Sequence, residues 1–280
     1  MARRASDTKL LALAPAREPQ SAKATEAHRP FLDCLVCLRW AKSEGMTSHS
    51  PRITGDIPRD LSQQTHRRLI GILGFFLPIL LYLIAGLRPT APLPRWTPLE
   101  SVSGYYYTGA VAILVGVLFA LSLFLFSYPG YEKAIADRVV GCVGGAAALC
   151  VALFPTTAPE GLSPPPWWSS ALRTVHYVSA VILFLSFILF AVWLFRKSNV
   201  PKGQQRPREK RLRDAACLIC GLVMIGSVLW AASSLITHAP IFIPEAIAIF
   251  AFAISWLVKG EAYQPVLSAM RQLRSKMIRR

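Results

Sequence analysis

Six predominantly apolar stretches constrain the fold of this 280-residue chain more than any other feature. They are residues 69–86, 106–126, 139–154, 174–195, 215–236 and 241–258, of which the third is the shortest. A helix needs roughly 20 apolar residues to cross a hydrocarbon core of about 30 Å, and it bonds all its backbone groups internally there. The sequence therefore predicts an all-α integral membrane protein, a bundle of six transmembrane helices.

Lysine and arginine are distributed unequally between the two sides of such a bundle. If the chain crosses at every stretch, 28 of its 31 Lys and Arg residues lie on one side, and the other side holds only Arg88, Arg95 and Arg173. Positive residues accumulate in the loops that stay in the cytoplasm. The charge pattern therefore predicts a multi-pass plasma-membrane protein with both termini cytoplasmic.

The composition predicts three parts. Residues 1–65 are rich in Ala, Arg, Ser and Pro without periodicity, which is typical of a disordered basic arm. Residues 66–260 form the transmembrane domain, and residues 261–280 form a basic cytoplasmic tail. Met46 is an alternative start of translation, so the presence of residues 1–45 in the native protein stays open.

The net charge of +16 suggests an anionic partner. The densest basic block, residues 196–213, lies between two predicted spans. We therefore expect contact with membrane lipids, including anionic headgroups at the cytoplasmic face, and no binding of nucleic acid. A protein partner is not identifiable from the sequence.

Two cysteine pairs have C-x-x-C spacing, Cys34 with Cys37 and Cys217 with Cys220. A zinc site needs two further ligands at suitable spacing, and the sequence offers none of convincing type. The second pair lies within a predicted span, where small residues serve packing. We predict neither a metal site nor a cofactor.

Small residues recur at helical spacing within the spans, as Gly71 with Gly74 and as Gly141 with Gly145. Such residues allow helix backbones to approach closely in lipid, where no hydrophobic drive acts between helices. They predict a closely packed bundle.

Unusual polar residues gather near the outer ends of the predicted spans. Glu245 lies about one turn inside the sixth span, His176 lies at a similar depth in the fourth, and Arg173 precedes it by three residues. Further polar groups at this level are Tyr105, Tyr106, Tyr107, His238, Ser103 and Thr156. Ionisable residues at membrane depth generally face the bundle interior or a wet cavity.

Two hypotheses explain this gathering. The first is an outward-facing polar pocket that binds a ligand and consists of Tyr105, Tyr106, Tyr107, Arg173, His176, His238 and Glu245. Arg173 is then the best cationic partner of Glu245, with His176 second. The second is a purely structural arrangement, in which Glu245 is favoured by the positive end of its helix just after Pro244.

Several segments resemble those of uncharacterised bacterial six-pass membrane proteins. They are "SVSGYYYTG", "LFLFSYPGYE" followed by "DRVVG", "ALFPTTAP", "HYVSAVILF" and "PEAIAIFAFAISWLVKG". Those proteins are distantly similar to the damage-regulated autophagy modulator (DRAM) and FGF-receptor-activating-protein group. The resemblance covers roughly residues 66–260 and implies a six-helix bundle in a bacterial inner membrane, without an activity that can be transferred.

Three classes of function remain open. A non-enzymatic bundle that binds lipid or a partner in the outer pocket is the favoured hypothesis. Inverted repeats and charges near the midplane would favour a small-solute or lipid transporter, but the sequence shows neither. A metal-dependent intramembrane hydrolase would need His176, His238 and Glu245 as ligands, but their spacing matches no known local motif.

Overall fold

A computed structural model describes residues 59–128, 130, 135–197 and 207–262 of the protein, and all regular secondary structure in them is helical. Within these residues it has no strand. The described residues form six α-helices, α1 (Arg59–Leu87), α2 (Val111–Phe126), α3 (Ile135–Leu153), α4 (Ser170–Val192), α5 (Arg208–Thr237) and α6 (Phe242–Lys259). Short 3-10 helices cover Ser103–Tyr107 and Leu194–Arg196. The predicted all-α class is thus confirmed, while most of the predicted arm, nearly all of the tail and the Cys34–Cys37 pair lie outside the described residues.

Five of the described helices are long and apolar enough to cross a membrane, which makes the chain a multi-pass membrane protein. The exception is α2, an apolar helix of 16 residues. At a rise of about 1.5 Å per residue it is about 24 Å long, shorter than a typical hydrocarbon core. The short helix is therefore the second one, whereas the sequence placed the shortest span third. That third helix has 19 residues.

Several helix ends differ from the predicted spans, and two of these differences concern the tyrosine segment before α2 and the predicted arm. Residues 106–110 were assigned to the second span, but α2 begins only at Val111. The Thr108 hydroxyl donates to the carbonyl of Tyr105 (2.8 Å) and accepts from the backbone N–H of Ala110 (3.1 Å). Such local bonds compete with helical ones, so the chain forms a 3-10 turn here instead. In the other case, α1 already includes residues 59–65, which were predicted to belong to the disordered arm.

The six helices pack as a closed sequential bundle. Each helix contacts the next along the chain, and α6 returns to contact α1 and also reaches across to α4. More of α6 is buried than of any other spanning helix among the described residues. Large apolar side chains stay exposed on the outside, as expected for a surface in contact with lipid. On α5 these include Leu222, Leu229, Trp230, Leu235 and Ile236.

Small residues lie at the closest helix contacts. A Cβ added to Gly71 would meet the Leu257 side chain at 2.7 Å, and one added to Gly145 would meet Phe126 at 3.1 Å. At the same α2–α3 crossing, the Ser122 hydroxyl donates to the carbonyl oxygen of Gly145 (2.8 Å). By contrast, a Cβ added to Gly116 would meet no described atom within 4 Å. Close helix approach thus explains the glycines that face another helix.

Candidate functional site

The start of α6 is held by the segment that precedes α2. The backbone N–H groups of Ile241 and Phe242 donate to the carbonyl oxygen of Glu100, at 2.6 and 2.8 Å. The first N–H groups of a helix have no partner within the helix, so this carbonyl satisfies two of them. We call this end of the bundle, which contains the Ser103–Tyr107 3-10 helix, the tyrosine end.

Glu245 accepts a hydrogen bond from a backbone group rather than from a cation. It lies in the first turn of α6, where the helix dipole favours an acidic residue, and its Oε2 accepts from the Val102 N–H at 2.6 Å. Neither a hydrogen bond nor an ion pair joins it to Arg173 within the described residues. The partner of Glu245 is therefore the backbone of a loop and not Arg173, which was inferred from charge alone.

His176 lies on the other side of the same loop. Its side chain is buried, with Nδ1 2.6 Å from the carbonyl oxygen of Phe154 and Nε2 3.0 Å from the Ser103 hydroxyl oxygen. Since a carbonyl can only accept, Nδ1 donates, and the Ser103 hydroxyl donates to Nε2 when the ring is neutral. The adjacent residues Val102 and Ser103 thus link Glu245 of α6 to His176 of α4.

The three consecutive tyrosines have different roles. Tyr105 is buried, with its ring 5.6 Å from that of Phe242, while the hydroxyl of Tyr107 donates to the carbonyl of Thr156 (2.6 Å). The Tyr106 ring is half-buried and packs edge-on against Tyr107. Burial raises the pKa of both Tyr105 and Tyr107, so these hydroxyls keep their protons at neutral pH.

Two predicted site residues take no part in this network. Arg173 is half-buried on α4, and His238 is exposed. His238 caps the end of α5 in the left-handed conformation (φ 53°), and its N–H donates to the carbonyl of Ser234. This backbone role explains its position in the short turn before α6.

No group of three His, Cys, Asp or Glu side chains within the described residues is arranged to hold a metal ion. His176 has both ring nitrogens engaged, with Phe154 and with Ser103. The set of His176, His238 and Glu245 that a hydrolase would need is therefore not assembled in this part of the chain.

An apolar cavity of about 50 Å³ lies inside the bundle and reaches the polar network. Glu245 and Ser103 contribute the polar side chains of its wall. The rest is formed mainly by aliphatic and aromatic side chains of five helices, among them Leu77, Leu114, Leu118, Val151, Leu183, Phe187, Ile249 and Phe252. The combination of one carboxyl and one hydroxyl with a hydrocarbon wall suits a molecule that has a small polar group and an apolar body.

Sequence reasoning missed the residues that organise this site. Val102 acts through its backbone N–H and Glu100 through its backbone carbonyl. Other residues carry the same groups, so the residue types do not indicate these roles. Ser103 and Thr156 have polar side chains and were expected at this level, but they were not among the predicted pocket residues. Their clustering with His176 and Tyr107 was the signal that could have found them.

Residues 99–260 match the family model described as "Protein of unknown function (DUF998)". The match spans more than half of the chain, and the chain therefore belongs to this family. It begins just before the Glu100–Ser103 segment and ends just after α6, so it contains the whole polar network. No curated protein and no solved structure matches the chain.

Proposed function

We propose that this member of the DUF998 family binds a small amphipathic lipid in its interior cavity, without catalysing a reaction on it. The observation that carries the proposal is the cavity wall, which is hydrocarbon except for the Glu245 carboxyl and the Ser103 hydroxyl. An apolar cavity with a few placed polar groups is the usual form of a site for such ligands.

The polar group of this ligand is a hydroxyl or an amine. A carboxylate accepts hydrogen bonds from both, whereas a phosphate or carboxylate headgroup would be repelled by it. The cavity of about 50 Å³ is small, with room for a few water molecules or for part of one hydrocarbon chain. We therefore propose a single-chain alcohol or amine, or one branch of a larger lipid, with its polar group at Glu245.

Replacing Glu245 with glutamine tests this proposal. Glutamine keeps a carbonyl oxygen that can accept from the Val102 N–H, so the helix start should stay intact. It loses the charge that strengthens a hydrogen bond to the ligand, and we expect about tenfold weaker retention of the copurifying amphiphile. Native mass spectrometry with lipidomics on gently extracted protein measures this retention.

Matched variants make the result specific. Glu160→Gln removes an exposed acid on the same side of the bundle and should retain the ligand. Ala180→Leu places a larger side chain in the cavity wall, which reduces the cavity volume and should also reduce ligand retention. Ala112→Leu adds the same volume at an exposed position and should leave retention unchanged. Identical lipid profiles in all four variants would contradict the proposal. Unfolding of Glu245→Gln, with Glu160→Gln still folded, would instead assign the polar network a structural role.

We also propose that the tyrosine end faces outwards from a bacterial inner membrane and that both termini are cytoplasmic. The excess of Lys and Arg at the opposite end supports this orientation. Single cysteines at positions 160 and 205, in a chain without its native cysteines, should react with a membrane-impermeant maleimide from opposite sides of the membrane. Labelling of both from one side would overturn the six-span topology.

The other hypotheses from the sequence stay predictions. A transporter role, a hydrolase role and the distant similarity to the DRAM and FGF-receptor-activating-protein group gain no support from the family match, because that family has no assigned function.

A further inference from the structure

The hydroxyl of Ser103, in the wall of the interior cavity, directs its proton away from the cavity. His176 beside it is 3% exposed, and no ion pair involves it within the described residues. Burying an unpaired charge is costly, so this imidazole is neutral. Its Nδ1 donates to the Phe154 carbonyl at 2.6 Å, and Nε2 therefore accepts the Ser103 proton at 3.0 Å. The Ser103 oxygen keeps only lone pairs for a ligand.

Glu245, the other polar side chain of the wall, also presents an acceptor. Its Oε2 accepts from the Val102 N–H at 2.6 Å, and no hydrogen bond reaches Oε1 within the described residues. A contact this short is typical of an ionised acceptor, and the start of a helix favours a carboxylate. An ionised carboxylate has about four acceptor sites and no donor. Glu245 therefore has acceptor sites left for a ligand.

The charge of this carboxylate has no cationic partner in the part of the chain that the structure describes. No ion pair joins Glu245 to a lysine, arginine or histidine there. The neighbouring wall consists of hydrocarbon side chains, among them Leu114, Leu183 and Phe252. A carboxylate in such surroundings gains from any cation that enters the cavity.

Together the wall presents two acceptors, one of them charged, and no free side-chain donor among its described residues. From this arrangement we infer that the bound amphiphile has a protonated primary amine as its polar group. This inference rests on the proposed function, in which the polar group is a hydroxyl or an amine, and it chooses between the two.

A primary ammonium matches both acceptors at once. It has three N–H donors, so it can donate to Glu245 and to Ser103 while its charge compensates the carboxylate. An alcohol has a single proton and leaves one of the two acceptors unsatisfied, which weakens binding about tenfold. A quaternary ammonium has the charge but no N–H to donate.

The size of the cavity also suits this group. A water molecule needs about 10–15 Å³ on the same scale, and an ammonium is a similarly compact group. The cavity of about 50 Å³ therefore holds an ammonium together with the first carbons of its chain. Bulky headgroups are excluded at the polar end.

The test compares three probes with the same alkyl chain, namely dodecylamine, dodecanol and dodecyltrimethylammonium. Each is titrated into gently delipidated full-length protein in a mild non-ionic detergent. Binding is followed by native mass spectrometry and by the thermal unfolding midpoint. We expect dodecylamine to bind about tenfold more tightly than either of the other two.

Variants of the two acceptors show whether they carry this preference. Glu245→Gln should weaken dodecylamine binding about tenfold or more and dodecanol binding by less than about twofold, because only the amine loses an opposite charge. Ser103→Ala should weaken dodecylamine binding about fivefold. Ser233→Ala is its matched control, because Ser233 is exposed on α5 and the change should leave binding unaltered. Circular dichroism confirms that each variant is folded, and Glu245→Gln alone decides if Ser103→Ala is not.

The outcomes separate this inference from the proposed function. If wild-type protein binds dodecanol or dodecyltrimethylammonium as tightly as dodecylamine, and Ala180→Leu loses all binding, the amine is overturned while the amphiphile site stands. If Ala180→Leu binds every probe as wild type does, the cavity is not the binding site. The proposed function then fails, and the amine assignment fails with it.

Discussion

Replacing Trp256 with alanine is expected to lower the free energy of unfolding by about 3–5 kcal/mol, the usual range for removing a large aromatic side chain from a core. Trp256 is fully buried, and four aromatic rings surround it. Their centroids lie between 4.9 and 5.9 Å from its own, and they belong to Tyr128, Phe190, Phe195 and Phe252. Helices in lipid associate mainly through such packing, so a cavity here weakens the contact between α4 and α6 directly.

The measurement is unfolding by a denaturing detergent in mixed micelles, followed by circular dichroism. Trp230→Ala is the control, because Trp230 is 51% exposed on α5 and should change the unfolding free energy by no more than about 0.5 kcal/mol. Trp256→Phe keeps a ring in the cluster and should fall between the two. If the two alanine variants were equally stable, the aromatic cluster around Trp256 would contribute no more to stability than an exposed side chain does.

Replacing Asp137 with alanine is expected to lower the free energy of unfolding by about 2–3 kcal/mol. Asp137 is 1% exposed in the first turn of α3, and its carboxylate pairs with Lys197 Nζ at 2.7 Å. Removing one partner of a buried ion pair costs about 3–5 kcal/mol, because the other charge loses its compensation. The Lys197 side chain is 28% exposed, so water compensates part of its charge, and we reduce the expected loss accordingly.

A double-mutant cycle measures this pair. Lys197→Met alone leaves a buried carboxylate and should also destabilise the protein, whereas the combined variant should recover part of the loss. A coupling free energy of about 1 kcal/mol or more would show that the pair acts as a unit. Strictly additive effects would mean that Asp137 stabilises α3 only locally, as a residue at the start of a helix.

Residue type made part of the site predictable. A carboxyl in an apolar run is costly unless it has a partner, so Glu245 was identifiable from the sequence. Its partner was not, because the donor is the N–H of Val102, and a backbone N–H looks the same at every residue except proline. Arg173 was chosen as the partner because its charge is visible, yet within the described residues no ion pair joins the two.

The start of α2 shows the same limit for the fold. Hydrophobic content extended the second span back to residue 106, since tyrosine counts as apolar. The structure begins α2 at Val111, after the turn held by the Thr108 hydroxyl. Thr108 could have indicated that the helix does not extend back to residue 106, because its hydroxyl competes with helical hydrogen bonds for backbone groups. Whether the hydroxyl or the helix wins depends on the packing around the turn. The folding of this loop determines where Val102 and Ser103 lie.

By itself the sequence determined that this chain forms apolar helices which cross a membrane, because lipid offers no other partner for backbone groups. It also determined which side chains would be costly there. Only the tertiary structure decided that the loop before α2 joins Glu245 to His176, and that Glu245 and Ser103, distant in the chain, line one cavity. The physical reason is that these contacts depend on which helix ends meet in space, and neither spacing nor composition along the chain specifies that.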